Sequence, residues 1–406
     1  MNGSVLLVLS DKDAAQHILS GKEGEFPKAS FIYDLFTVMI GSGMVISEGE
    51  VWRKDRKLLT PFFHFRAIQD SFPIMVDSAV GFLDRVRDRQ SEAAWMPAKD
   101  LFATYTSSVI LKFGFGDAFD VKTVNNMIKE MNVVFNYYFI GKMLFGGLWD
   151  YLPLKSGLGM HMIKKKFLNF ALPIIRKVKA SPSQTPDMLS FLCHSKYEDG
   201  SEISEAHIAD QCLTFLFAGE DTSSCTLSWV MYYLSLNPHV QEKLQKEVDT
   251  VLQGELPTPE NIKELKYCSN VIKETLRIRP VVPWIIRQTH TDLMVDGVLL
   301  PKGTTTSVLI YALHHDTRYW DQPFMFIPER WEEEKSKKSF IWVPFSAGQR
   351  NCLGQKFATQ EMIILLSVLA QKYNVKHNPA KEVFPAFEGV VTPINLEIQF
   401  SPRNKV

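Results

Sequence analysis

Apolar residues recur every three or four positions along most of this chain, the period of helices with one buried face. The pattern predicts helices over 11–20, 50–60, 66–90, 98–113, 123–139, 157–180, 204–236, 238–252, 267–279 and 355–373. Strand signals are short and mostly late: "LMVDGVLL" around an Asp296-Gly297 hairpin turn, "TTTSVLIY" and "INLEIQF". An earlier apolar stretch, Val5 to Leu9, precedes a helix start at Ser10 or Asp11. The prediction is a mainly α fold with small accessory β-sheets. No repeat, low-complexity linker or shift in composition divides residues 1–406, so one domain is expected.

The longest predicted helix carries the first chemical signal. An Asp199-Gly200 turn and Ser204, an N-cap type, open it, and Asn237-Pro238 closes it. About 33 residues at ~1.5 Å each reach roughly 50 Å. Its middle reads "LTFLFAGEDTSSCTL". Gly219 costs a helix interior about 1 kcal/mol, and Glu220-Asp221-Thr222 adds charge. One reading is a solvent-facing patch with a tolerated glycine. The other is a functional kink in a buried helix, which the apolar residues pointing to all sides (Phe215, Leu216, Phe217, Leu227, Trp229, Val230) favour.

Composition narrows the class of function. Of 406 residues, 46% are hydrophobic and 22% charged, an ordinary globular balance. Lys+Arg and Asp+Glu both number 45, so no net basic field points to nucleic acid. Five cysteines at irregular spacing, with no CxxC, argue against a disulfide framework or zinc site and for a reducing compartment. No apolar run reaches the ~18–20 residues of a spanning helix. The first residues lack the basic lead and long apolar core of a secretory signal, so the chain is expected to open directly into folded structure.

One cysteine stands apart. "FSAGQRNCLGQKFA" places Cys352 between glycines, with Arg350 two residues before it and a predicted helix just after. A buried structural thiol, a disulfide partner and a metal ligand are the alternatives. A ligating thiolate needs nearby donors and positive charge, which a helix N-terminus supplies. Gly348 and Gly354 let the backbone approach a flat, bulky group, and Arg350 suits its anionic edge. One thiolate held this way is how haem iron is bound when oxygen is activated.

The loop "FSAGQRNCLG" resembles the haem loop of the cytochrome P450 superfamily, Phe-x-x-Gly-x-Arg-x-Cys-x-Gly, at Phe345, Gly348, Arg350, Cys352 and Gly354; Ala358 also fits. "KETLR" resembles the Glu-x-x-Arg of that family's K helix, "FIPERW" its Pro-Glu-Arg segment and "AGEDTS" its oxygen-binding helix; "WRKDR" resembles its Trp-x-x-x-Arg. The likeness runs from Val5 to Arg403 and looks most like eukaryotic branches that oxidise fatty acids and xenobiotics. It implies the cytochrome P450 fold, with haem b between the long helix and the cysteine loop. Cys352 is then the axial iron ligand, while Trp52, Arg56, Arg287 and Arg350 serve the haem propionates. Glu274, Arg277 and Arg330 form a buried structural triad. Asp221 and Thr222 relay protons to bound dioxygen.

Three departures and several surroundings complete the expectation. Trp331 replaces the usual phenylalanine, and Ser223 replaces a second threonine. Ala218 stands where one branch of the family has a glutamate esterified to the haem, so that bond is not expected here. Relatives place an anchor, a hinge, a first helix and a first strand before the segment matching Val5–Leu9. The chain therefore reads as shortened, with Val5–Leu9 on an unprotected sheet edge. Pocket residues implied by the resemblance are Phe31, Ile32 and Leu35 in a loop, Phe215, Phe217 and Ala218, then Val281, Val282, Trp284, Val390 and Val391. They suit a fatty acid, sterol, terpenoid or xenobiotic. "FIGKMLFGGLWDYLPL", Phe139 to Leu154, suggests either peripheral membrane contact or ordinary packing; Lys164-Lys165-Lys166 reads as a solvated face. Lacking a flavin or nicotinamide fingerprint, the chain needs a separate electron donor, an NADPH reductase, for which Arg53, Lys54 and Lys57 are a docking face or simply solvated charge. The expected protein is a monomeric, intracellular monooxygenase on the cytosolic face of the endoplasmic reticulum membrane. The alternatives are a haem-thiolate hydroperoxide isomerase or lyase, and an inactive haem- or lipid-binding relic.

Overall fold

The computed structural model describes the chain apart from residues 1–5, 22–23, 64–66, 91–94, 146–148, 150–154, 183–184, 296, 333–339 and 404–406. Its described residues cluster into two compact units. One comprises Met1–Pro27, Ile68–Thr106 and Asp221–Val406; the other comprises Lys28–Ala67 and Ser107–Glu220.

The first unit holds all the described strands. β1 (Leu6–Leu9) runs parallel to β6 (Thr305–Val308), which pairs antiparallel with β3 (Ile285–Gln288). Among the described residues β1 is an edge of this sheet, and Leu6 and Val8 are half-exposed; Val5 lies outside the described residues. β10 (Glu397–Pro402) lies between β2 (Met96–Pro97) and β7 (Tyr373–His377). β4 (Leu293–Val295) and β5 (Val298–Leu300) form the expected hairpin, closed by Gly297 at φ +78°; β8 (Phe384–Phe387) pairs with β9 (Val391–Ile394). α1 (Lys12–Ser20) is capped by the Asp11 carboxylate, which accepts from Asp13 N and Ala14 N. Its apolar face (Ala15, Ile18, Leu19) packs into a core with Phe26, Ile285, Val308, Ile310, Leu313 and Val343. That core holds Val343, in the irregular segment leading into the cysteine loop.

α4 (Ala67–Gln90), α10 (Pro238–Leu252), α11 (Lys266–Ile278) and α13 (Gln355–Lys372) follow the sequence pattern closely. α5 (Ala98–Phe115) and α9 (Glu205–Leu236) contribute to both units, and α9 is one continuous 32-residue helix. Ser204 caps it: its hydroxyl accepts from His207 N at 3.2 Å.

The second unit is helical: α2 (Ser30–Ile40), α3 (Gly49–Pro61), α6 (Val121–Phe145), α7 (Lys155–Ala180) and α8 (Met188–His194). Its core is aromatic, with Phe62 stacked on Phe191 at 4.9 Å and Phe63 on Phe215 at 5.2 Å.

Three expectations are corrected, and one helix, α8, was not foreseen. Residues 30–40, expected as a loop, form α2, with Leu35, Met39 and Ile40 buried along one side; the side chains of Phe31 and Ile32 lie outside the described residues. α8 is too short, at seven residues, to show a period. "TTTSVLIY" divides after Val308: Leu309 N bonds Leu9 O, and α12 (Ile310–Leu313) begins. "INLEIQF" breaks at Asn395, whose φ of +62° is a turn conformation, so Ile394 ends β9 and β10 starts at Glu397.

Candidate active site

The cysteine loop is shaped by its backbone. Ser346 and Gly348 both take left-handed conformations, φ +60° and +69°. A Cβ on Gly348 would lie 2.1 Å from Leu19 O, so only glycine fits this turn against α1. Cys352 N donates to Phe345 O at 2.8 Å and Asn351 N to Gly348 O at 3.2 Å, closing the loop over three residues of 3₁₀ turn, Gly348–Arg350. α13 starts three residues after Cys352, so the sulfur sits at the positive end of a long helix. Cys352 is exposed, whereas Cys193, Cys212, Cys225 and Cys268 are buried. Behind the loop, fully buried His314 accepts at Nε2 from Val343 N at 2.9 Å. Burial, helped by the Arg277 charge, holds its pKa down to about 3, so it is a neutral acceptor.

The predicted triad is assembled in full. Glu274 and Arg277, both on α11 and fully buried, make two hydrogen bonds of 2.9 and 2.8 Å. Arg330 Nε donates to Glu274 Oε1 at 3.0 Å. Two further donors were not foreseen: Ile327 N and the Trp331 indole N–H, each 3.0 Å from a Glu274 oxygen. Trp331 is therefore no mere substitute for phenylalanine, since it adds a donor that phenylalanine lacks. Arg277 also donates to the carbonyls of His314, Pro323 and Met325, tying α11 to the segment that precedes the cysteine loop.

The middle of α9 differs from the rest of that helix. Phe217, Ala218, Gly219 and Thr222 are half-exposed between buried turns, and Ala218 and Thr222, four apart, share one face. Gly219 is required by packing: a Cβ there would meet Ile110 side-chain carbons at 2.8 Å. Phe217 tilts against Phe36, whereas Phe215 is buried in the aromatic core against Phe63. Asp221 is 2% exposed. Lys99 Nζ lies 3.6 Å from its Oδ1 and also bonds Glu388 and Thr392. Burial raises the Asp221 pKa despite the lysine. Burial also works against the Lys99 charge, but Asp221 and neighbouring groups outweigh it and raise the Lys99 pKa. Ser223 hydrogen-bonds the fully buried Glu361, whose pKa burial pushes well above the ordinary carboxylate range. No local pattern marked Lys99, Glu388, Thr392 or Glu361, because their partners are far away in sequence.

Two of the remaining first-unit candidates, Val281 and Trp284, make contacts at β8–β9. Val391 N bonds Val281 O at 2.8 Å, and Trp229 Nε1 bonds Val391 O at 2.9 Å. Trp284 packs on Phe387 with ring centres 4.8 Å apart; Val281 and Val390 are buried, and Val282 is exposed. Arg287 on β3 is buried, 6% exposed. Arg350 is half-buried. In the second unit, Trp52 is buried and Arg56 half-buried on the same side of α3, four residues apart.

These residues fit a flat anionic macrocycle bearing a metal. Cys352 presents an exposed sulfur, and a Cβ built on neighbouring Gly354 meets nothing within 4 Å, so the loop faces open space. Arg287 offers a buried cation for an anionic edge. The cytochrome P450 family profile matches residues 1–400. The chain belongs to the cytochrome P450 family. It is similar to cytochrome P450 3A5 of Homo sapiens, 31% identical over 358 residues that cover 84% of this chain and 70% of the relative. Cytochrome P450 4V2 of Rattus norvegicus is 33% identical over 386 residues, 87% of this chain and 72% of the relative. Cytochrome P450 4A14 of the same species is 27% identical over 401 residues, 93% of this chain and 78% of the relative. This P450 is an oxidoreductase, a haem monooxygenase of its family, and its cofactor is haem b.

Proposed function

We propose that this P450 inserts one oxygen atom of dioxygen into a lipophilic substrate, a fatty acid, sterol, terpenoid or xenobiotic. Cys352 would hold the haem iron through its thiolate, and Trp52, Arg56, Arg287 and Arg350 would hold the propionates. The observation that carries this reading is the single exposed cysteine on a glycine-shaped loop at a helix start. Bound haem supplies the electron-transfer and dioxygen chemistry. The chain supplies protons and shelter. Asp221, its pKa raised by burial against the pull of Lys99, takes up and releases a proton at its carboxylate; Thr222 Oγ passes one onward from the accessible face of α9. The apolar surround of Val281, Val390 and Val391 keeps bulk water out.

Thr222→Ala is expected to leave substrate affinity intact while product formed per NADPH consumed falls to about a tenth. Electrons then go to peroxide or water. The measurement is that ratio, with a surrogate reductase and a long-chain lipid. An unchanged ratio sinks the relay, and turnover on hydroperoxide alone, indifferent to Thr222 and Asp221, would make the protein an isomerase. A second expectation follows from Ala218, which offers no carboxylate for an ester. Acidified organic solvent should extract all the haem, and haem left on the polypeptide would contradict this.

Electrons come from a separate NADPH-dependent reductase. Lys54 and Lys57 are poor candidates for its docking charges, since Asp199 engages Lys54 at 2.6 Å and Glu198 engages Lys57 at 2.5 Å. Lys164 and Lys166 likewise pair with Asp210 and Glu130, the behaviour of a solvated helix face. Peripheral membrane contact, which we place on the cytosolic face of the endoplasmic reticulum, is supported as surface contact by α6. Val133, Tyr137, Ile140 and Leu144 form one stripe, each more than half exposed, ending near exposed Phe145. Residues 146–148 and 150–154 of that region lie outside the described residues, and no described helix is long and apolar enough to cross a membrane.

A further inference from the structure

Asp55 lies on α3 between Trp52 and Arg56, and its side chain is 3% exposed. The proposed chemistry does not use it. Yet three side chains converge on its carboxylate. The Tyr197 hydroxyl donates to Oδ1 at 2.6 Å, His207 Nε2 lies 3.0 and 2.9 Å from the two oxygens, and the Gln211 amide donates to Oδ2 at 2.9 Å. Gln211 Oε1 in turn accepts from Met44 N at 3.1 Å, which draws in the turn before α3. Tyr197 precedes α9, while His207 and Gln211 stand one turn apart on it. A helix pinned at a buried side chain cannot rotate without stranding that carboxylate. Trp52 and Arg56 are three residues before it and one after, so they move with it.

We propose that Asp55 is a positioning residue that fixes the rotation of α3, and through it Trp52 and Arg56, against α9, and that His207 makes this clamp depend on pH. The inference rests on the reading that Trp52 and Arg56 hold the haem propionates.

The charges facing His207 set the direction of the pH dependence. Asp55 faces it from α3, with the Lys54–Asp199 pair beyond Tyr197; Asp210 and Glu205 lie on α9 itself. From α7, Lys164 is 3.4 Å from Asp210, and Arg176 is 2.7 Å from Glu205, so those two acids are compensated. Burial opposes the His207 cation, but the Asp55 bond and charge, then Asp210, raise its pKa above the ordinary 6.5. Burial and the Asp55 bond push the Tyr197 hydroxyl up as well, so it stays a donor throughout. With a raised folded-state value, the charge-assisted contact is complete below pH 6.5 and is lost as pH rises through that raised value.

The test is the rate of haem transfer from purified holoenzyme to excess apomyoglobin, at about pH 6 and about pH 9. His207→Gln keeps a neutral donor and removes only the charge. It should speed haem loss about three- to ten-fold near pH 6 and match the wild type near pH 9. In an Asp55→Asn background the same change should have no effect at either pH. A His207→Gln ratio equal at both pH values, or one that persists in the Asp55→Asn background, overturns the inference. If Asp55→Asn does not fold, the two-pH comparison in the wild-type background decides alone. Arg56→Leu is run in parallel. Faster haem loss at both pH values is expected, and its absence would refute the propionate reading itself rather than the clamp.

Discussion

Glu274→Ala should cost this protein about 3–5 kcal/mol, since removing one member of a buried ionic network strands the others. Five donors converge on the two oxygens of Glu274: two from Arg277, one each from Arg330, Trp331 and Ile327 N. Arg277 is wholly inaccessible to water, so its charge cannot be resolvated in place. Folding stabilities are themselves only about 5–15 kcal/mol, so the variant should be largely unfolded or haem-poor at physiological temperature. Glu274→Asp should fail too, because a shorter acid cannot span Arg277 and Arg330 together. Urea unfolding followed by circular dichroism is the check. A loss below about 1 kcal/mol would mean that the network contributes no more than surface pairs do.

Cys352→Ala should abolish monooxygenase turnover while leaving the fold intact. The side chain is exposed and fills no core, so its removal opens no cavity. The loop is held by backbone contacts that the change leaves in place, Cys352 N to Phe345 O and Ser346 N to Val343 O. The other four cysteines are buried. Burial pushes the Cys193 thiol up to about 11, and pushes Cys212 and Cys268 well above their ordinary value. Loss of a ligand should weaken haem retention by more than about a hundredfold, beyond the effect of outer-shell changes. Haem per polypeptide, product formation and far-ultraviolet circular dichroism are measured on one preparation. Retained turnover would remove Cys352 from the site.

Much of this was legible in the sequence because it is local. Helices announce themselves through a period, and α9 is bounded in the sequence itself by Ser204 and by Asn237-Pro238. The cysteine loop is a contiguous motif, and its glycines carry their reasons in φ angles and close contacts. What escaped is non-local. Lys99 meets Glu388 across 289 positions and Asp55 meets His207 across 152, and no pattern in either neighbourhood hints at the other. Short elements also escaped: α8 spans two turns and α2 three, with Asp34 and Thr37 set in an otherwise largely apolar run. Trp331 is visible in the sequence as an aromatic but not as a donor, since the sequence does not say which carboxylate its indole reaches.

The most direct test is the absorption spectrum of the purified, haem-loaded, reduced protein under carbon monoxide. A thiolate opposite carbon monoxide shifts the main haem band strongly to longer wavelength, which a neutral histidine or water ligand does not do. The wild type should show the thiolate band at full intensity relative to its haem content, and Cys352→Ala should lack it. A folded, haem-loaded wild type giving only the neutral-ligand band, or an alanine variant that keeps the thiolate band, would contradict the account.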